Sequence, residues 1–164
     1  MNKAAFLDRD GIINYESGHY ACYVEDFLIN EGVGETIKLL KDNDFIVIII
    51  SNQGGIAKGL YTENDLLKMH IKLCEYLSSY DTIIDDFFYC PHHPDFSNCL
   101  CRKPNTLMFE KAIATYNIDP KKSFMLGDGE RDIESAEKCG IKGFLVKSNQ
   151  NIFDICNSLI INKI

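Results

Sequence analysis

Apolar and polar positions fall into blocks along the chain, and the blocks change period. Ala4–Leu7 is a short apolar run that ends in acid, and Phe45–Ile50 is an unbroken apolar run bounded by Asp44 and Ser51. A β-branched run without alternation suits a strand buried on both faces, as in a parallel sheet. Thr82–Tyr89, Ser123–Leu126 and Gly143–Val146 read as further strands, with Phe87, Phe88 and Tyr89 as strand core and Asp85-Asp86 as a strand edge or bend. Helical spacing predicts helices over Gly34–Asn43, from Thr62 through Leu77, and over Asn105–Tyr116, Arg131–Cys139 and Ile152–Leu159. Thr62-Glu63-Asn64-Asp65 has the form of a capping box, and Gly140 fits the left-handed residue that closes a helix.

Strands that alternate with helices imply a mainly parallel sheet with helices on both faces. The expected fold class is α/β, a Rossmann-like three-layer α/β/α sandwich. The 164 residues contain no repeat or linker, so a single domain over 1–164 is expected. The spacing between the first two strands leaves no room for a large cap domain. Ligands of such folds bind beyond the carboxyl ends of the strands. Polar clusters follow the runs there: Asp8-Arg9-Asp10, Ser51-Asn52-Gln53, a Cys/His segment leading to Arg102-Lys103, and Gly127-Asp128.

Charge narrows the chemistry. The net charge is −7, which disfavours general binding to nucleic acid or an anionic membrane. An anionic substrate therefore requires locally concentrated positive charge or bound metal. No apolar run approaches the ~20 residues of a membrane span, and no leader is visible before Ala4, so a cytoplasmic protein is expected.

Asp8 and Asp10 lie two apart where a strand ends, a spacing that puts side chains on one face. Two such carboxylates repel unless a cation or shared proton relieves them. With Asp128 and Asp132 from another strand end, they form an oxygen-rich set suited to Mg²⁺. Asp128 and Asp132 could instead only cap a helix start.

Seven cysteines, an odd number in a reducing compartment, are not read as disulfides. Cys22, Cys74, Cys139 and Cys156 read as small, partly buried apolar residues. The segment of about 90–103 is different. Cys90, His92, Cys99 and Cys101 form a CxH…CxC set, which suits a closed tetrahedral Zn²⁺ site of the structural kind, with His93 as the alternative to His92.

The motif Asp8-Arg9-Asp10-Gly11-Ile12-Ile13-Asn14, followed in order by Ser51, Lys103 and Gly127-Asp128-Gly129-Glu130-Arg131-Asp132, resembles the four signatures of the haloacid dehalogenase superfamily. Cys-Pro-His-His-Pro, CxCRKP and Ser51-Asn52-Gln53-Gly54-Gly55-Ile56-Ala57-Lys58-Gly59 are similar to the D-glycero-D-manno-heptose 1,7-bisphosphate phosphatases and their relatives, the histidinol-phosphate phosphatases. Lys58 departs from the arginine usual in the heptose enzymes. The short His93–Cys99 loop is closer to the histidinol side.

The resemblance implies a Mg²⁺-dependent phosphomonoesterase acting on a small phosphorylated sugar. Asp8 would be the nucleophile, forming an aspartyl-phosphate, and Asp10 the general acid and then base. Ser51 and Lys103 would hold phosphoryl oxygens. Mg²⁺ would be held by Asp8, the Asp10 backbone carbonyl and Asp128, with Asp132 in support. Arg102 would meet a second anionic group or a hydroxyl, Asn52, Gln53 and Gly54 would line the site, and Glu16–His19 would form a substrate-facing loop. The best specific expectation is removal of the 7-phosphate from heptose 1,7-bisphosphate in surface-glycan precursor synthesis. The rivals are histidinol-phosphate phosphatase, polynucleotide 3′-phosphatase, which the charge opposes, and a silent zinc-stabilised binding module, which the retention of Asp8 and Asp10 opposes. Size and an open site point to a monomer. His70 reads as a packed histidine, and Tyr15, Tyr20 and Tyr23 as flap packing.

Overall fold

The computed structural model describes residues 1–162; the last two residues of the expected domain lie outside the described residues. The elements run β1 (Lys3–Leu7), α1 (Val33–Asp42), β2 (Phe45–Asn52), α2 (Glu63–Ser78), β3 (Asp86–Cys90), α3 (Leu107–Tyr116), β4 (Phe124–Gly127), α4 (Glu130–Lys138), β5 (Lys142–Leu145) and α5 (Phe153–Ile161). All pairings are parallel, and the strand order is β3-β2-β1-β4-β5. This is the expected α/β architecture.

The two faces of the sheet explain the unbroken apolar runs. Ala5, Leu7, Val47, Ile49, Phe124 and Leu126 join one core with α1, α2 and α5. Their sequence neighbours Ala4, Phe6, Ile48, Ile50 and Met125 join a second core with Met108, Phe109 and Ala112 of α3 and Ala136 of α4. The central strands are therefore apolar on both faces through Ala4–Leu7, Phe45–Ile50 and Phe124–Leu126, because successive side chains enter opposite layers. Phe6 and Phe109 meet at 5.1 Å between ring centroids, both fully buried. Truncating either to Ala would cost about 3–5 kcal/mol.

The capping box forms as expected: Asp65 N–H donates to Thr62 Oγ1, and Thr62 N–H donates to Asp65 Oδ2. Gly140 has φ of 75° and follows the last turn of α4. The third strand is a correction, since it begins at Asp86 and not at Thr82. Asp85 ends the preceding loop instead: its carboxylate accepts from Val47 N–H and pairs with Lys41 at 2.6 Å. Phe87, Phe88 and Tyr89 are half-buried, because β3 is an edge strand. Cys74 is exposed and Cys156 is buried, so the apolar reading holds for one and fails for the other. His70 is buried and stacked on Phe87 at 4.1 Å, and burial lowers its pKa to about 4, as befits a packed neutral ring. Among the described residues no helix is long and apolar enough to cross a membrane.

Candidate active site

Polar groups converge at the carboxyl ends of β1, β2 and β4, the three central strands. The chain leaves the sheet at Asp8, whose N–H donates to Leu126 O, and bends so that Ile13 N–H and Asn14 N–H both return to Arg9 O. Gly11 makes the bend possible. Its φ is 83°, and a Cβ there would lie 2.1 Å from Asp128 Oδ2. A side chain at this position would thus be strained in backbone and would collide with an acid of the site.

Asp8 is buried, and its Oδ1 is held twice, by Lys103 Nζ at 2.9 Å and by Arg9 N–H at 2.7 Å. Lys103 is also buried, and it reaches Ile50 O at 2.7 Å and Asp132 Oδ1 at 2.7 Å. The Asp132 contact is an ion pair outside hydrogen-bond geometry, and that oxygen, 4.0 Å from Arg131 Nε, accepts no hydrogen bond among the described residues. Burial, only partly offset by Lys103 and reinforced by Asp132 and Asp10, raises the Asp8 pKa to about 7. Removing Lys103 alone would leave two buried carboxylates uncompensated, a loss of roughly 3–5 kcal/mol.

Oxygens of Asp8, Asp128 and Asp132 all lie within 4.8 Å of one another. Three carboxylates around one buried ammonium, with one buried oxygen that accepts no hydrogen bond, fit a small hard cation such as Mg²⁺. Asp132 also caps its own helix, accepting from Gly129 N–H at 3.0 Å, so the cap and metal readings coexist.

The Asp10 side chain departs from expectation. Its carboxylate is not part of this cluster, so four acidic side chains do not share one ion. Its Oδ1 accepts from Arg9 Nη2 at 2.7 Å, Arg9 Nε at 3.2 Å and Asn14 Nδ2 at 3.1 Å; its Oδ2 accepts from Gln53 Nε2 at 2.9 Å. Both acids still line one cleft, and the donors around Asp10 keep its carboxylate apart from the cluster. Burial works to raise the Asp10 pKa, but Arg9 and these hydrogen bonds override it and hold it below the usual carboxylate range. A metal contact from Asp10 is thus left to its backbone carbonyl.

A cleft of about 290 Å³ opens over these groups, walled by Asp8, Asp10, Glu16, His19, Asn52, Gln53, Gly54 and Arg102. Ser51 and Lys103 lie beneath it and do not line it. Asn52 exchanges hydrogen bonds with the backbone of Lys103 at 2.9 and 3.1 Å, which fastens the Arg102–Lys103 segment to β2. Gly54 leaves room for His93 and Arg102, since a Cβ would lie 2.9 Å from His93 Cδ2 and 3.1 Å from Arg102 Nη1. The glycine pair therefore admits neighbouring side chains.

The Cys/His segment has no regular structure between Cys90 and Leu107. Even so, Cys90, His92, Cys99 and Cys101 offer ligand atoms within 4.8 Å of one another. Cys90 Sγ lies 3.6 Å from His92 Nδ1, 3.6 Å from Cys99 Sγ and 2.9 Å from Cys101 Sγ. Zn–S bonds of about 2.3 Å place tetrahedral sulfurs about 3.8 Å apart, so the set needs only slight opening to hold Zn²⁺. His92 is in the set; His93 turns to Asp95 at 3.2 Å instead. Arg102 Nη1 donates to His92 O at 3.1 Å, so the loop carries Arg102 into the cleft.

A family model described as HAD-hydrolase-like matches residues 100–152. The D-glycero-beta-D-manno-heptose-1,7-bisphosphate 7-phosphatase of Haemophilus ducreyi is 39% identical over 150 residues, spanning 85% of this chain and 80% of that protein. The corresponding alpha-heptose enzyme of Photorhabdus laumondii is 40% identical over 153 residues, spanning 89% and 83%. The chain belongs to the HAD-like heptose bisphosphate phosphatase family. The D,D-heptose 1.7-bisphosphate phosphatase of B. bronchiseptica, solved with magnesium and phosphate, superposes with a TM-score of 0.85 at 30% identity, covering 94% of this chain and 86% of that one. A family of phosphatases accounts for the position of the acids and guanidinium groups around one cleft.

Four residues near this family site escaped sequence reading. Arg9 is buried and neutralises Asp10; Arg131 lines the cleft from the start of α4. Tyr61 and Asn149 act from outside any motif. Asn149 exchanges hydrogen bonds with the backbone of Glu16 at 2.7 and 2.9 Å across 133 positions, and so anchors the Glu16–His19 loop. Arg9, between Asp8 and Asp10, and Arg131, one turn from Asp128, carried a local signal. Tyr15, Tyr20 and Tyr23 are all exposed, and of the three Tyr20 lines the cleft and tilts against Tyr61, so flap packing describes Tyr20 at most.

Proposed function

We propose that this chain is a Mg²⁺-dependent phosphomonoesterase that removes the 7-phosphate of D-glycero-D-manno-heptose 1,7-bisphosphate, a step toward surface-glycan precursors. The observation that carries the reading is Asp8: a buried carboxylate at the cleft floor, one oxygen pinned by Lys103 and the Arg9 amide, beside the Asp128–Asp132 pair.

Asp8 attacks phosphorus, the ester oxygen leaves, and an aspartyl-phosphate forms. Asp10 gives the leaving oxygen its proton, then takes one from the water that opens the acyl phosphate. The free site holds Asp10 ionised, and the incoming phosphate anion beside it raises its proton affinity. Lys103 holds Asp8 in line while tempering the charge, and Ser51, beneath the cleft, accepts from Gln53 Nε2. Asp8, the Asp10 carbonyl and Asp128 would hold Mg²⁺, with Asp132 in support, and that ion supplies charge neutralisation that lets one anion approach another. Arg102, a planar fork suited to phosphate, receives the second phosphate group, with Glu16 and His19 facing the sugar. Zn²⁺ on Cys90, His92, Cys99 and Cys101 would fix the loop and do no chemistry, since four ligands leave no open position. A cytoplasmic monomer acting on a small solute, without nucleic acid or membrane, completes the reading, consistent with the charge of −7.

The test is steady-state kinetics on both anomers of heptose 1,7-bisphosphate and on histidinol phosphate, with and without Mg²⁺. Preference for a heptose bisphosphate is expected. A higher kcat/KM on histidinol phosphate would move the substrate assignment, and turnover unchanged without Mg²⁺ would remove the metal role.

A further inference from the structure

Gln53 is buried, and every polar hydrogen of its amide is committed. Its Nε2 donates to Asp10 Oδ2 at 2.9 Å and to Ser51 Oγ at 2.6 Å; its Oε1 accepts from Tyr61 Oη at 2.5 Å. Asp10 as a carboxylate only accepts, so the amide must present nitrogen to it. The amide oxygen then faces Tyr61, whose phenol is also buried and stays protonated, its pKa pushed up chiefly by that burial. The ring of Tyr61 is seated by Gly55: a Cβ there would lie 2.2 Å from Tyr61 Cε1. Tyr61 does not line the cleft.

The two oxygens of Asp10 are unequally held. Oδ1 has three donors, whereas Oδ2 has Gln53 alone. Rotation of the Asp10 carboxylate about its terminal bond is therefore governed at Oδ2 by one amide, and that amide is held at its far end by one hydroxyl. We propose that Tyr61 is a positioning residue for the reaction, fixing the Gln53 amide so that Asp10 Oδ2 faces the leaving oxygen. This deepens the phosphatase reading above and rests on it.

The experiment compares wild type, Tyr61→Phe, Gln53→Leu and the double variant on two esters: heptose 1,7-bisphosphate, whose alkoxide must be protonated as it leaves, and p-nitrophenyl phosphate, whose phenolate leaves without a proton. The ratio kcat/KM reports steps up to the first departure. Tyr61→Phe keeps the ring and should lower kcat/KM on the sugar ester about tenfold, and on the aryl ester by less than about threefold, since only the former needs general acid help. In the Gln53→Leu background the same change should have no further effect, because the route is already cut. Gly55→Ala, which displaces the ring, should reproduce the leaving-group dependence of Tyr61→Phe.

Unchanged kinetics in Tyr61→Phe, equal losses on both esters, or an undiminished loss in the Gln53→Leu background would each overturn the positioning role while leaving the phosphatase reading standing. Failure of the wild type to hydrolyse either ester would overturn both.

Discussion

The aspartate cluster at the strand ends and the cysteine–histidine loop both gather groups that repel or lie idle unless a cation joins them. They differ in what holds them in place. Asp8, Lys103 and Asp132 are buried at the rim of a five-stranded sheet, anchored by strand pairing and by an internal ammonium. Cys90, His92, Cys99 and Cys101 hang mostly on irregular backbone, with Phe96 and Leu100 exposed between and beside them. The first site is made by the fold and would persist without its ion. The second is proposed to be made by its ion, because too little apolar surface is buried there to order the segment. On the proposed reading the same contrast separates chemistry from selectivity: the rim carries the reacting acids, and the cysteine–histidine loop carries Arg102.

The sharpest way to test this division is Asp8→Asn. Turnover should fall by on the order of 10⁴-fold or more, with zinc content and thermal midpoint held, since the sheet and Lys103–Asp132 remain. Normal turnover would remove Asp8 from the mechanism. Cys99→Ser or Cys101→Ser should do the reverse. Bound zinc, measured by metal analysis, should drop, KM should rise about tenfold through Arg102, and the midpoint should fall by on the order of 5 °C. Full zinc occupancy in these variants would break the comparison.

Asn149→Ala tests a third kind of anchor, a side-chain amide across 133 positions with no metal at all. Freed of it, the Glu16–His19 loop should raise KM for the sugar substrate about threefold with kcat unchanged. A fall in kcat with constant KM would place Asn149 in the chemistry instead.

The smallest effect is on stability against pH. The folded chain raises the Asp8 pKa from its ordinary 3.8 to about 7, so it binds that proton more tightly than the unfolded chain does. The associated stability is full below the ordinary value and lost as pH rises through about 7. Zinc-loaded, magnesium-free protein should therefore melt lower at about pH 8 than at about pH 5, and Mg²⁺ should flatten the difference by replacing the proton. A midpoint that rises over this range without Mg²⁺ would contradict the burial of Asp8 as a charge in need of a cation.

The division between local and distant information runs through these same residues. The apolar runs, the Thr62 capping box, Gly140 and the strand-end clusters were legible because period, caps and turn residues act within a few positions. So was the gathering of Cys90, His92, Cys99 and Cys101, whose spacing is short enough to bring them together. Other features depend on which groups burial brings together. Asp10 was expected to share one oxygen-rich set with Asp8, Asp128 and Asp132, but its carboxylate is taken up by Arg9, Asn14 and Gln53. Lys103 was expected to face substrate, but it lies under the cleft between two acids. His92 and His93 are adjacent and chemically equal, and only the path of the loop separates them.

By itself, then, the sequence determined the α/β class, the parallel sheet, the identity of the acids and thiols, and their gathering at one rim. The tertiary structure alone decided which acid meets which cation, that β3 is an edge strand, and that Tyr61 and Asn149 act on the site from outside every motif. The physical reason is that helix and strand periodicities are set by neighbours along the chain. Hydrogen-bond partners and desolvation are set by neighbours in space, and no spacing in the sequence encodes those before the layers pack.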